Sequence, residues 1–209
     1  MANDIGGTAL DGSSFLWRIK MAYTDISICS NALLKIGAES ITSFLDGTAE
    51  AEVAANLYPM IRDGLLASYP WSFAVGQKSL PRLAGVPLAD YSYAYRLPND
   101  FLRVLSAGSG RSGRGIEYRI VENRLHTGAS EVNLTYIFRP HESLFPAYFC
   151  ELLIARLASE FCLPLTESTT RSEYLQKTFQ ELEKRARLTD AQQSTPQRFE
   201  DFSLVEARQ

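Results

Sequence analysis

A glycine-rich segment is the part of the chain that comes nearest to a known chemical motif. Residues 108–113 have the sequence GSGRSG and fit the G-x-G-x-x-G fingerprint of dinucleotide-binding loops. Such a loop follows a strand and opens a helix, whose first N–H groups hold the phosphate. Here, however, residues 116–121 alternate between apolar and polar side chains, as a strand does. The segment also approaches the P-loop pattern, but Arg114 stands in place of the P-loop lysine and Gly115 in place of its Ser or Thr. The sequence therefore predicts a mobile loop between two strands rather than a nucleotide site.

Two arginines give this loop a second candidate role. Arg111 and Arg114 lie on a flexible glycine-rich tip, which suits transient contact with DNA phosphates or with an acidic partner. Solvated loop arginines without a partner are the alternative. The sequence leaves both interpretations open.

The other reactive side chains have no spacing that indicates chemistry. His126 and His141 are the only histidines, and neither has metal-ligand spacing with a cysteine or carboxylate. Cys29, Cys150 and Cys162 form no C-x-x-C pair, and their odd number indicates reduced, buried thiols made in a cytosol. A Ser-His-Asp site stays open because its members meet only in space, but G-x-S-x-G is absent from the sequence. We predict no catalytic residue, no cofactor and no metal.

Length and composition predict a globular protein that does not bind DNA tightly. The 209 residues are 45% hydrophobic, which is enough for a sizeable core in one domain or two small ones. The formal net charge is −3 and the isoelectric point is about 5.5. Tight DNA binding would need an excess of Lys and Arg on one face. Any DNA contact is therefore expected to be loose.

The first two predicted helices lie in the N-terminal third of the chain. Thr24 is placed as an N-cap and Gly37 as the end of the first helix. Residues 46–48 form a turn before the second helix, in which Pro59 is expected to introduce a kink. Tyr69-Pro70 then ends this helix. Its predicted apolar face consists of Val53, Leu57, Ile61, Leu65 and Tyr69.

Two more helices are predicted near the C-terminus. Pro146 is a favourable first-turn residue for the third helix, and Pro164 is expected to break it. Either Thr166 or the capping-box residue Thr170 opens the fourth helix. Its i,i+4 pairs of Glu and Arg are expected on a solvated face: Glu181 with Arg185, and Glu183 with Arg187. Residues 190–197 are polar and are expected not to bury themselves.

Between the helical pairs the apolar period changes to two, which indicates antiparallel strands with one wet face. The predicted strands are residues 91–97, 101–105, 116–120 and 132–138. The predicted fold class is therefore α+β, a helical bundle of about four helices with an inserted antiparallel β-rich domain.

The two ends of the chain are expected to differ from its middle. The first twenty residues carry no basic n-region and no apolar run beyond residues 15–17, so they are not expected to be a signal peptide. No stretch of the sequence is predicted to span a membrane. Met21 directly precedes the first helix, so the natural product either starts there or has an ordinary flexible N-terminus. At the other end, Phe199, Phe202, Leu204 and Val205 appear among charges and indicate either a docking tail or a frayed terminus.

An ordered series of segments carries a family resemblance that covers residues 23 to 193. The most informative is residues 69–74, YPWSFA, which closes a helix with an aromatic plug. The others are residues 29–41, 46–50, 57–59 with 62–66, 95–104 and 157–166. In this order and spacing they resemble the head-to-tail connector proteins of short-tailed bacteriophages, the tail tubular protein A or tail accessory adaptor family. Residues 1–20 have no counterpart in this pattern.

The resemblance implies a structural virion protein and not an enzyme. Members of this family are monomers until they meet the portal protein and form a dodecameric ring below it. The ring closes the DNA-filled head and offers the next tail or nozzle protein a platform. Double-stranded DNA passes through the central channel without specific binding. The implied location is the neck of the virion, after synthesis in the host cytoplasm.

The resulting domain organisation has five parts. They are a flexible N-terminal extension (1–22), the first half of the helical bundle (23–75), an inserted β-rich domain (76–145), the second half of the bundle (146–193) and a C-terminal docking tail (194–209). Two other classes of function compete with a connector. They are a virion-associated enzyme that cleaves peptidoglycan and a small DNA-binding regulator, and the acidic isoelectric point disfavours the regulator.

Overall fold

The computed structural model describes residues 23–193, which form an α+β structure of four α-helices and two small antiparallel sheets. The helices are α1 (Asp25–Ile36), α2 (Ala49–Ser68), α3 (Ala147–Thr166) and α4 (Thr169–Ala191). The strands are β1 (Val75–Ser79), β2 (Tyr93–Arg96), β3 (Phe101–Gly108), β4 (Arg119–Val121), β5 (Arg124–Thr127) and β6 (Asn133–Phe138). The predicted α+β class and the four helices are confirmed.

Local capping explains where α1 and α2 begin. Thr24 accepts a hydrogen bond from the Ser27 backbone N–H at 3.1 Å, and the Ser27 hydroxyl accepts one from the Thr24 N–H at 2.9 Å. This reciprocal box satisfies two N–H groups that the first turn leaves free. Gly37 ends α1 with φ 77°, a left-handed conformation that favours glycine. Thr48 caps α2 with a single hydrogen bond, which its hydroxyl accepts from the Ala51 N–H.

The buried face of α2 differs from the predicted one. Its buried residues are Ala51, Ala54, Tyr58, Ile61, Leu65 and Leu66. The small residues Ala51 and Ala54 take the places expected for Val53 and Leu57, which are only partly buried. Alanine lets two helices approach closely, and a search for large apolar residues overlooks that role. Pro59 lies inside α2 on its exposed side and does not end the helix.

Helix α3 is the central element of the fold and packs against each of the other three helices. The prediction that Pro164 breaks it is wrong, because α3 continues to Thr166. Pro164 lies in the last turn, where the missing N–H removes only one backbone hydrogen bond. The residue that opens α4 is Ser168, which accepts from the Arg171 N–H, and not Thr166 or Thr170.

The strands form two three-stranded sheets with the orders β1-β6-β3 and β2-β5-β4. Three of the predicted strands correspond to β2, β3 and β6. The prediction of a strand over residues 116–120 is largely wrong, because only Arg119–Val121 are paired. Strands β1 and β5 were not predicted. Both are short and mostly polar, so neither shows the alternation that indicates a strand.

The described residues bury two separate hydrophobic clusters. The larger one joins the four helices, and the smaller one lies among strands of both sheets and includes Tyr95, Leu125 and Leu134. Strand β6 contributes to both, because successive side chains of a strand point to opposite faces. Ile137 enters the helical cluster, whereas Leu134 and Tyr136 enter the β cluster. The sheet β1-β6-β3 therefore has the helices on one face and the second sheet on the other.

Candidate interaction surfaces

An aromatic cluster, here called the aromatic clasp, fixes residues 69–74 to the helices. Trp71 is fully buried, and its Nε1–H donates to the Leu65 carbonyl at 3.1 Å. Its ring meets the Tyr69 ring edge-on at 4.9 Å between centroids and the Phe149 ring at 5.2 Å. Phe73, Tyr148 and Phe145 complete the clasp. The segment that carries the resemblance is therefore a joint between α2 and α3.

Asp190 closes the joint from α4. Its carboxylate accepts hydrogen bonds from the Ser72 N–H and hydroxyl and from the Tyr148 hydroxyl. Burial, and next its hydrogen bond to this carboxylate, raise the pKa of Tyr148 to about 12. Asp190 itself is 4% exposed. The prediction that residues 190–197 stay unburied is therefore wrong for Asp190.

The predicted Glu–Arg pairs on α4 form only in part. Arg187 pairs with Glu183 at 2.6 Å, whereas no pair between Glu181 and Arg185 is found in the described part of the chain. The Arg187 guanidinium also lies 5.1 Å from the centre of the Tyr69 ring. This part of α4 is therefore packed against the aromatic clasp and is not simply solvated.

The densest group of ionisable side chains is an ion network that links α2 to the segment before α3. Its members are Tyr58, Arg62, Asp63, Arg139 and Glu142. Glu142 accepts from the Tyr58 hydroxyl at 2.9 Å and from Arg62 Nη1 at 2.8 Å. Arg62 also pairs with Asp63 at 2.9 Å, and Asp63 pairs with Arg139.

The pKa shifts in the ion network follow from burial and mutual pairing. Burial is the largest influence on Glu142 and opposes ionisation, but the hydrogen bonds that its carboxylate accepts outweigh it and lower its pKa. Burial, and next the charge of Glu142, raise the pKa of Tyr58. Every member binds another member, and none lines a cavity found in the described residues. The network therefore fixes one element to another.

The cysteines are also part of the packing. All three lie within the described residues, are buried and form no disulfide. Burial, and next the charge of Asp25, raise the pKa of Cys29 to about 12, and burial raises that of Cys150 to about 12. Neither thiol is therefore a thiolate at neutral pH, the form in which cysteine attacks or binds metal.

The two histidines lie apart from the cysteines in the fold. His126 is half-buried in β5, and the His141 ring at the surface accepts a hydrogen bond from the Ser143 N–H.

The glycine-rich loop connects β3 to β4, so residues 108–113 lead from a strand to a strand as predicted. The loop folds back against its own sheet. The Ser106 hydroxyl donates to the Gly113 carbonyl at 2.7 Å, and the Asn133 amide donates to the Gly110 carbonyl at 2.5 Å. A Cβ atom on Gly108 would lie 2.1 Å from the Ser112 carbonyl oxygen, so only glycine fits there. These contacts fix the position of the loop.

A polar pocket of about 290 Å³ lies between this loop and the sheet. We call it the loop pocket. Its lining comprises Gln77, Lys78, Ser79, Arg111, Asn133, Thr135 and the backbone around Ser112. Lys78 lies between Gln77 and Ser79 on β1, so its side chain points to the opposite face of the sheet, and Arg111 is the charged side chain on the pocket side.

The two loop arginines predicted as candidate contacts differ in their position relative to the loop pocket. Arg111 lines it, whereas Arg114 does not. Both are exposed, and neither has a carboxylate partner among residues 23–193.

Charge is divided unevenly between the sheets and the helices. Residues 75–141, here called the β part, hold nine Lys and Arg and five Asp and Glu. The helical part, residues 23–74 and 142–193, holds eight Lys and Arg and fourteen Asp and Glu. The β part is therefore basic, although the isoelectric point of the whole chain is acidic.

Two further surfaces have apolar character. A groove of about 350 Å³ between α2, α3 and α4 is lined by Met60, Ile61 and Phe179, with Arg156 and Glu160 beside them. A second hollow of about 390 Å³ lies beside the loop before β2. There Val86 is 70% exposed and Leu88 is fully exposed. Side chains of this kind are common at protein–protein contacts.

Several predicted features lie outside the described residues or have no counterpart within them. The proposed docking residues Phe199, Phe202, Leu204 and Val205 and the predicted extension 1–22 are outside residues 23–193. Within that range, His, Cys, Asp and Glu side chains form no group of three that could hold a metal ion. None of the helices there combines the length and apolar character needed to cross a bilayer.

Comparison with known proteins gives no relative on which an identification could rest. Models of protein families do not match the chain, and a comparison with curated proteins finds no match either.

Proposed function

We propose that this protein is a structural virion protein of a short-tailed bacteriophage. In this proposal it forms an adaptor ring that binds below the portal, closes the DNA-filled head and provides the platform for tail attachment. DNA passes through the central channel of the ring. The ordered series of connector-like segments between residues 23 and 193 carries the proposal.

The packing supports this use of those segments. Residues 69–74 join α2 to α3 and α4 through the aromatic clasp. Residues 157–166 form the second half of the central helix, in which Leu157, Ala158 and Phe161 are buried, and Thr48 in residues 46–50 caps α2. In each case the resembling residues determine how two elements meet. A family that keeps a fold while its surfaces change would retain segments of this kind.

We further propose that the two sheets form a β-rich domain inserted into the helical bundle. All six strands lie between α2 and α3 in the chain, and the β cluster is separate from the helical one. A protein of this form offers unlike surfaces on its two parts. A closed ring needs that difference, because the contact between neighbouring subunits joins two different patches. The β part has an excess of cations and the helical part an excess of carboxylates, so the two parts carry net charges of opposite sign.

A reconstitution experiment tests the connector proposal directly. The full chain is mixed with the portal protein of the short-tailed phage whose genome encodes this chain. The products are imaged by electron microscopy. We expect a monomer alone and a ring below the portal in the mixture. A chain that stays monomeric beside an intact portal would refute the proposal.

The enzyme alternative is tested separately with purified cell walls. Turnover that one carboxylate substitution abolishes would favour a peptidoglycan-cleaving enzyme over a connector. We expect none, because the perturbed carboxylate Glu142 binds Tyr58 and Arg62 and lines no cavity of the described residues.

A further inference from the structure

The groove between α2, α3 and α4, here called the helical groove, has room for two aromatic side chains. Ile61, Leu65 and Phe179 in its lining are nearly buried, whereas Met60 is 66% exposed. The volume of the groove is about 350 Å³. A cavity of about 150 Å³ lined by apolar side chains is enough to hold a benzene ring. The helical groove could therefore take up two phenyl rings.

The charged side chains at the helical groove are paired with one another. Arg156 pairs with Glu160 at 2.7 Å, and Arg187 pairs with Glu183 at 2.6 Å. The Arg156 guanidinium also lies 5.1 Å from the centre of the Phe179 ring. Because each of these charges already has a partner, the groove mainly offers an occupant its apolar lining.

Gly64 leaves the groove open on the α2 side. It lies inside α2, and a Cβ atom built on it would meet no atom within 4 Å. No contact among the described residues therefore requires glycine at this position. Glycine inside a helix is less favourable than alanine. Its place in the lining would suit an occupant that lies close to the α2 backbone.

The chain that follows α4 carries aromatic side chains within reach of the helical groove. Helix α4 ends at Ala191, and the groove-lining residue nearest to this end is Glu183. The eight positions between them correspond to about 12 Å of helix. Phe199 follows Gln193, the last described residue, by six positions, and six residues can span up to about 20 Å. Phe202 lies three positions farther along the chain.

One end of the helical groove faces the end of α4. Ser68 lines the groove, and the ring of the next residue, Tyr69, lies 5.1 Å from the Arg187 guanidinium near the end of α4. Met60 lies two turns of α2 before Ser68. A chain that turns back after α4 would therefore reach Ser68 first and Met60 last.

We propose that residues 199–202 of the same chain occupy the helical groove, with the rings of Phe199 and Phe202 against its apolar lining. Their sequence is FEDF, in which two acidic residues separate the rings. The rings can therefore be buried while both carboxylates stay in water. A second copy is a weaker candidate, because a short tether keeps this segment near its own groove at an effective concentration on the order of millimolar. The contact needs no portal, so it goes beyond the connector proposal.

Disulfide trapping in two double variants of the full chain tests this contact. Met60→Cys/Ser203→Cys places one thiol in the groove and one directly after Phe202. Leu188→Cys/Ser203→Cys is the matched control, because Leu188 is 67% exposed and lies on α4 outside the groove lining. The three native cysteines are buried and do not compete for oxidation. Disulfide formation is followed by mass spectrometry in dilute protein under mild oxidation.

We expect the Met60→Cys pair to form its disulfide about tenfold faster than the Leu188→Cys pair. An undirected tail would give the opposite order, because Leu188 is nearer along the chain to Ser203. A tethered but undocked segment samples the nearer position more often.

Two further changes in the Met60→Cys/Ser203→Cys background separate docking from tethering. Gly64→Met fills the groove, and the open space at this glycine gives the new side chain room. Phe199→Ser/Phe202→Ser instead removes the two rings and leaves the helices unchanged. Either change is expected to slow trapping at least fivefold, with folding checked by circular dichroism. If Gly64→Met fails to fold, the tail variant alone decides.

Three results would overturn the proposal. They are equal trapping of the two cysteine pairs, trapping that the loss of both rings leaves unchanged, and a disulfide that joins two chains instead of closing within one. The last result would assign the groove to the tail of a second copy. Every measurement is made without portal, so the reconstitution of a ring and the docking of the tail can fail independently.

Discussion

Asp190 has an unfavourable position for its charge within its own helix. It lies in the last turn of α4, where the partial negative charge of the helix end repels a carboxylate. Three hydrogen bonds from Ser72 and Tyr148 compensate for this repulsion. Asp190 therefore contributes to the joint between elements and not to the helix that contains it.

Asp190→Ala is expected to destabilise the protein by about 1–3 kcal/mol, because it leaves the donors of Ser72 and Tyr148 without their acceptor. Asp190→Asn should fall between this variant and the unchanged protein, since its amide oxygen still accepts. The free energy of unfolding is measured by urea denaturation. Glu173→Ala, an exposed change on the same helix, is the control and should stay within about 0.5 kcal/mol. Equal stability of the Asp190→Ala and Glu173→Ala variants would contradict this role.

Residue by residue, the sequence predicts contacts that are close along the chain and misses those that are distant. Thr24 and Gly37 were placed correctly because a cap depends on residues within one turn. Asp190 was missed because its partner Ser72 lies 118 positions away. A sequence pattern contains no information on which surface residues strand pairing brings together.

The ion network works at the scale of elements, since it holds α2 against the segment that leads into α3. A short 3-10 helix, Glu142–Leu144, places Glu142 opposite Tyr58 and Arg62 on α2. Salt bridges at the surface contribute little. The side chains of Arg62 and Glu142 are 16% and 13% exposed, so this pair is better shielded from water than most.

Stability should depend on pH through Glu142. Its folded pKa is lowered, so the unfolded chain binds the proton more readily and the carboxylate stabilises the fold above the ordinary Glu pKa of about 4.3. That contribution is lost as the pH falls through the lowered pKa. Glu142→Gln is therefore expected to cost about 1–3 kcal/mol at pH 7 and progressively less below pH 4.

Urea denaturation of both proteins at pH 7, 5, 4 and 3 measures this difference. Glu151→Gln, on the exposed side of α3, is the matched control and should cost little at any pH. A difference between Glu142→Gln and the unchanged protein that stays constant from pH 7 to pH 3 would show that the charge of Glu142 is not what stabilises the joint.

The helices and strands with a strong apolar pattern were predicted from the sequence, whereas strands with a weak apolar pattern were not. The buried helix α3 has two adjacent apolar columns, which is why its existence was clear from the sequence. Its end was misplaced because Pro164 is tolerated in a final turn. Strands β1 and β5 are mostly polar, so neither shows the apolar alternation that predicted the equally short β2. Their pairing depends on β6 and β2, and sequence alone does not predict that choice.

At the scale of the whole molecule, the two separate clusters predict that the protein can unfold in two parts. The sheet β2-β5-β4 contributes buried residues to the β cluster and none to the helical one. The sheet β1-β6-β3 contacts both clusters through the two faces of β6. An opening of the second sheet would therefore leave the helical contacts intact. Local unfolding of this kind is common where a unit has its own small core.

Leu125→Ala is expected to test this division. Leu125 is fully buried at the centre of the second sheet, so its truncation should cost about 2–5 kcal/mol. Native-state hydrogen exchange should show faster exchange in β2, β4 and β5, with the amides of α3 unchanged. Leu153→Ala, an equally buried leucine of the helical cluster, is the matched comparison and should speed exchange in α3 and α4. Uniform acceleration by both variants would mean that the two parts unfold together, and the proposal of an inserted β-rich domain would lose its physical basis.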